Sequence, residues 1–154
     1  MNLKTLAFAA AALIAASPAQ SADASSLPAE ETQGNVRYVT GGVGEDAIAA
    51  FKQAAPKYSL ELQFVQKATP RDEYLSDVKV TIRDGSGKVL LDATSKGPFL
   101  LAQLPTGKYQ IDAAYEGVSK RHSAAVQSGK HARAVLVWSG PNDMNKSMQG
   151  DAKK

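Results

Sequence analysis

The sequence predicts a mainly β protein, an antiparallel sandwich of seven or eight strands with one α-helix inserted near its start. Three observations carry that prediction. Residues 77–138 break into short runs of alternating polarity, with turn signals about every ten residues, the pattern of a sandwich or barrel. Only residues 45–55 carry a helical apolar period, and Pro56 stops it. No cysteine occurs, so the fold must rest on its core and not on disulfides.

Each element has a local reason. Residues 35–40 (NVRYVT) alternate as a first strand with Arg37 in its middle. Gly41, Gly42 and Gly44 then turn the chain, because glycine reaches backbone angles closed to other residues. In helix 45–55, Ala47, Ile48, Phe51, Ala54 and Ala55 share a stripe suited to packing on a sheet. Residues 58–66 (YSLELQFVQ) form the next strand, where Glu61 alternates with Leu60 and Leu62 and is expected to face water.

In 77–83 (DVKVTIR), Val78, Val80 and Ile82 share one face; Asp84-Gly85-Ser86-Gly87 turns the chain, and 88–94 (KVLLDAT) returns as a hairpin. Residues 98–104 (PFLLAQL) form a strand closed by Pro105-Thr106-Gly107, where Pro105 and Gly107 set a tight turn. Residues 108–116 place Tyr109, Ile111, Ala113 and Tyr115 together, and Gly117 punctuates. Residues 118–126 (VSKRHSAAV) suit a sheet edge, where Lys120, Arg121 and His122 discourage pairing with another molecule. A turn at 127–130 is expected to return the chain as a hairpin into 131–138 (HARAVLVW), setting His122 opposite Val135. The apolar end of that strand implies cover on both faces.

The termini bound the compartment. Lys4 followed by the eleven apolar residues 6–16 (LAFAAAALIAA) reads as a bacterial Sec-type signal peptide over 1–21, with small residues permitting cleavage after Ser21 or Ala24. Eleven residues fall short of the ~20 that span a bilayer, so no membrane span is expected in the mature protein. The expected location is the periplasm or the medium. Cleavage at Ser21 leaves about 133 residues, enough for one domain. Residues 22–34 (ADASSLPAEETQG) read as a flexible linker, 35–139 as the single domain and 140–154 as a disordered tail. The net charge is +3 with both signs dispersed along the chain, so nucleic acid is not an expected partner.

Chemistry is harder to find. Gly42-x-Gly44-x-x-Ala47 between two strand-like runs outlines a dinucleotide-binding βαβ unit, and Glu61 stands at about the separation of a ribose-binding acid. Arg37 is foreign to a doubly buried leading strand, and Glu45 and Asp46 occupy the helix start that a pyrophosphate would need. No cofactor is therefore expected. His122 and His131, the only histidines, would stand roughly 13 Å apart on one face, too far to share a metal ion. Asp84-Gly85-Ser86-Gly87 lacks the further oxygen ligands of a calcium loop, and no G-x-S-x-G occurs. No catalytic residue and no metal ligand is assigned. Met144 and Met148 are soft ligands and leave a second reading open, a small periplasmic accessory protein for copper or for a hydrophobic ligand. Loops at the ends of sandwiches often carry recognition, and residues 67–76 present Lys67, Arg71 and Tyr74 as a contact surface.

Residues 74–138 resemble the carboxypeptidase regulatory-like domain, a small transthyretin-like or Ig-like sandwich of exported bacterial proteins. The likeness rests on Val78-x-Val80-x-Ile82, on Asp84-Gly85-Ser86-Gly87-Lys88-Val89-Leu90, on Gly97-Pro98-Phe99-Leu100-Leu101 and on Leu104-Pro105-x-Gly107-x-Tyr109. The segment 92–99 (DATSKGPF) is shorter than the usual pattern, and 35–67 lies outside it. The resemblance implies a non-catalytic module that binds or scaffolds a protein or polysaccharide partner in the cell envelope.

Overall fold

A computed structural model describes residues 27–140. The expected signal peptide, both cleavage positions, residues 22–26 of the linker and residues 141–154 of the tail, with Met144 and Met148, lie outside the described residues. Ten strands occur among the described residues, in two sheets. The first runs in the order β1 (Glu31–Gln33), β2 (Val36–Gly41), β7 (Phe99–Gln103), β3 (Leu60–Gln66), β10 (Ala132–Trp138), and β4 (Glu73–Tyr74) pairs with β3 as its sixth strand. The second runs in the order β6 (Val89–Thr94), β5 (Lys79–Arg83), β8 (Gly107–Tyr115), β9 (Val118–Val126). The protein is thus mainly β, with two antiparallel-rich sheets packed as a sandwich.

Alternation along the strands fills the space between the sheets. Val80 and Ile82 of β5, Leu91 of β6 and Ile111 and Ala113 of β8 meet Leu60, Leu62 and Phe64 of β3, Leu100 of β7 and Leu136 of β10 in one buried cluster. Tyr109 joins this core, and its hydroxyl donates to the Pro105 carbonyl at 2.6 Å, tying β8 to the turn before it. The β5–β6 hairpin closes over Asp84–Gly87 with a bulge between Ile82 and Arg83. Asp84 Oδ1 accepts from the Ser86 N–H, the Ser86 hydroxyl and the Lys88 N–H, which holds the turn.

The helix α1 (Glu45–Ala54) continues into a 3₁₀ turn at Ala55–Lys57. It lies on the outer face of the six-stranded sheet, where Phe51, Ala54 and Ala55 pack with Val39, Phe99 and Leu101. The rings of Phe51 and Phe99 stack at 5.8 Å between centroids. Gly42, at φ 97, leads into this helix; a Cβ there would lie 2.6 Å from the Phe99 ring, so glycine is needed for space as well as for backbone angle. The βαβ outline is real but split. β2 and β3 are each antiparallel to β7, hence parallel to one another, and β7 lies between them.

Four expectations are corrected. Glu31–Gln33, read as linker, is strand β1. It pairs with β2, and Gln33 uses both ends of its amide on the backbone of Asp92 in β6, at 2.7 and 2.9 Å, so this open seam of the sandwich is laced by one side chain. The strands number ten and not seven or eight, and one pair, β3 with β10, is parallel. The 127–130 turn carries the chain from one sheet to the other, so β9 and β10 form no hairpin, and His122 stands opposite Ile111 instead of Val135. β10 is an edge strand with only one buried face: Val135 and Val137 are 46% and 38% exposed. β9 is an edge strand, as its charge pattern predicts.

Candidate functional site

The outer face of the six-stranded sheet is the place where chemistry and exposure meet. Period-two alternation puts Glu61, Gln63 and Val65 of β3 and Arg133, Val135 and Val137 of β10 on that face, in parallel register with one another. The helix roofs β2 and β7 but not this side. Tyr74 pairs with Val65 and sits at 6.1 Å from Phe99, so an aromatic row runs from Phe51 through Phe99 to the exposed ring of Tyr74.

Glu61, expected to face water, is buried, 6% exposed. The correction has a long-range cause, because β10 brings cationic and polar side chains over it from some 70 positions along the chain. His131 Nε2 lies 2.9 Å from Glu61 Oε2, and Arg133 Nε lies 3.5 Å from Glu61 Oε1. Arg133 Nη2 also donates to Gln63 Oε1 at 2.7 Å. His131 Nδ1 lies 2.9 Å from the Tyr58 carbonyl oxygen, which can only accept, so Nδ1 carries a hydrogen. Nε2 faces a carboxylate oxygen, and a hydrogen bond there requires a proton between the two atoms. The arrangement orients the imidazole at the sandwich end.

Beside it, Tyr58 donates to Glu30 Oε2 at 2.7 Å, and Arg37 reaches the other oxygen of the same carboxylate at 3.3 Å. Burial and then the Glu30 carboxylate push the Tyr58 hydroxyl up to about 12. Ser59 is close in sequence but chemically occupied: its hydroxyl oxygen accepts from the Leu104 N–H at 2.7 Å and lies 3.2 and 3.1 Å from the carbonyls of Ala102 and Leu104. It makes no hydrogen bond to His131, so Ser59, His131 and Glu61 do not form a nucleophilic triad.

One cavity adjoins this cluster and a larger one lies on the other sheet. A groove of about 590 Å³ opens at the sandwich end where the connections α1–β3, β7–β8 and β9–β10 meet, with Lys57, Tyr58, Lys130 and His131 on its walls. A larger one, about 710 Å³, lies on the outer face of the four-stranded sheet by the Asp84–Gly87 turn. Its one carboxylate, Asp84, is consumed by that turn, with the Ser86 hydroxyl holding its carboxyl below the ordinary range. The chemistry therefore favours the smaller groove.

The residues singled out from sequence divide between these regions. Tyr74 is 48% exposed at the far end of the β3–β10 face. Lys67 bonds Asp72 at 2.7 Å and so stitches its own loop, while Arg71 is exposed beside it and forms no ion pair among the described residues. Gly41 is the last residue of β2, and Gly44, at φ 95, caps α1. Pro105 precedes β8, and Gly107 is the first residue of that strand. Sequence reasoning missed the Glu61–His131–Arg133 cluster. The only local signal was an acid between two leucines, which alternation reads equally as exposed or as paired. Among the described residues no group of three or more metal-ligating acids and histidines gathers, and no helix is long and apolar enough to cross a membrane. No family model matches the chain, and no curated protein matches it either.

Proposed function

We propose that the protein is an exported, non-enzymatic sandwich module of the transthyretin-like type, similar to the carboxypeptidase regulatory-like domain, that binds or scaffolds a protein or polysaccharide partner in the cell envelope. One observation carries the reading. The outer face of the six-stranded sheet is roofed by α1 on one side, while on the other Tyr74, Val135 and Val137 stand exposed on a single surface beside the ordered polar cluster of Glu61, His131 and Arg133. Exposed apolar side chains grouped on one face, rimmed by polar groups, mark interaction surfaces. Lys67 and Arg71 frame the Tyr74 end of that surface. Two laced seams support a scaffold that keeps its own edges closed: Gln33 bridges to β6, and the Trp138 indole N–H donates to the Val118 carbonyl of β9 at 2.9 Å.

The test is a photoreactive residue placed in living cells at Val135, at Tyr74 or, as control, at Ser119 on the four-stranded sheet. A discrete adduct is expected from the first two positions and not from the third, and Val137→Asp should abolish it. Absence of any adduct, or the same adduct from Ser119, would overturn the reading.

A further inference from the structure

We infer that the groove at the sandwich end is a binding site for an acidic polysaccharide, one whose repeating sugars carry carboxylates. This goes beyond the partner-face reading and rests on a different surface. Three connections form the groove, and its walls carry Lys57, Lys130 and His131 and no aspartate or glutamate. Lys57 and Lys130 are exposed and form no ion pair among the described residues. Glu61 is engaged by His131 and Arg133, Glu30 by Tyr58 and Arg37, and Asp84 by the amides and hydroxyl of its own turn. A cleft lined by one sign of charge between low-dielectric walls concentrates ligands of the opposite sign.

The remaining wall chemistry narrows the class. Gln103 and Gln127 with their amides, Thr106 and Ser128 with their hydroxyls, and Tyr58 line the groove alongside the cations. Neutral donors and acceptors interspersed with cations match a chain of hydroxyls with periodic carboxylates. An acidic peptide fits less well, since extended peptides gain affinity by adding to a sheet edge. The groove is walled by turns and connections, and their backbone groups are in use: the Lys130 N–H bonds Gln127, the Ala132 N–H bonds the Ser59 carbonyl, and His131 takes the Tyr58 carbonyl. His131 serves here as an oriented wall, held in place from both of its nitrogens.

The test is affinity electrophoresis of the full chain through gels holding polygalacturonate, with dextran as the neutral glycan and polyglutamate as the acidic peptide. Polygalacturonate alone should retard the protein. Lys57→Glu with Lys130→Glu should weaken the retardation constant by about tenfold or more, because charge-assisted contacts exceed neutral ones in strength, and Lys57→Gln with Lys130→Gln by a smaller factor. Lys79→Glu with Lys96→Glu, the same charge change at the opposite end of the sandwich, should leave it within about twofold, since separated exposed charges are screened. All substituted positions are exposed, so thermal melting should show each variant folded. The inference falls if polygalacturonate does not retard the protein, if both charge-reversal pairs lose binding equally, or if polyglutamate retards it as strongly. Val135→Asp, which breaks the partner face, should leave polygalacturonate binding intact, so failure of one reading is distinguishable from failure of the other.

Discussion

Over β2 and β7 the outer face of the six-stranded sheet presents Val39, Phe99 and Leu101, and α1 covers them with Phe51, Ala54 and Ala55. Over β3 and β10 the same face presents Glu61, Gln63 and Val65, and individual side chains cover them: His131 and Arg133 on Glu61, Arg133 on Gln63, Tyr74 at Val65. The first half is buried by an element whose apolar stripe needs no particular partner, only apolar area. The second is buried by directional contacts that depend on strand register, and it leaves Val135, Val137 and Tyr74 exposed. One sheet face thus separates a half roofed by a helix from a half left partly exposed.

The largest effect expected from this contrast is in the roofed half. Phe51→Ala should destabilise by about 3–5 kcal/mol, the range for emptying a buried aromatic site, read as a fall in the denaturant midpoint with unchanged slope. A change under 1 kcal/mol would show that the helix is not what stabilises this face. The open half should respond differently. His131→Ala combined with Arg133→Ala strips the partners from a buried carboxylate and should cost about 2 kcal/mol. Adding Glu61→Leu should recover most of that loss, because an apolar side chain needs no partner there. A triple variant no more stable than the double would mean that the carboxylate is not the liability.

The smallest effect lies at the border of the two halves, at Tyr58. Burial and the Glu30 carboxylate raise its hydroxyl from 10.0 to about 12. A group raised in the folded state favours folding fully below pH 10 and loses that contribution as the pH climbs toward 12. Tyr58→Phe should therefore flatten this part of the alkaline unfolding profile. Burial raises Tyr38, Tyr109 and Tyr115 as well, so an alkaline transition should persist in the variant. An unchanged profile would place Tyr58 outside the folded network.

Much of the frame was legible because it is local. The Asp84–Gly87 hairpin is specified by residues that bond one another across four positions, and the Phe51 stripe by a period of 3.6 within ten residues. Glu61 shows the limit. Alternation correctly puts it on the face away from Leu60 and Leu62, yet whether that face meets water depends on β10, which arrives in parallel register 72 residues later. The turn at 127–130 shows the same limit for topology. A short polar connection reads alike whether it folds a strand back on its neighbour or carries it across to the opposite sheet. The open groove was illegible for that reason, since it exists only where three separate connections meet.

The sequence by itself determined the strands of the four-stranded sheet, the charged edge of β9, the helix and its packing stripe, and the absence of disulfides, because each follows from neighbours within a few residues. Tertiary structure decided the intercalation of β7 between β2 and β3, the parallel docking of β10, the burial of Glu61 and the side of the sheet left bare. Those outcomes depend on which distant strands share hydrogen bonds, and strand pairing is a choice among long-range contacts that local alternation does not rank.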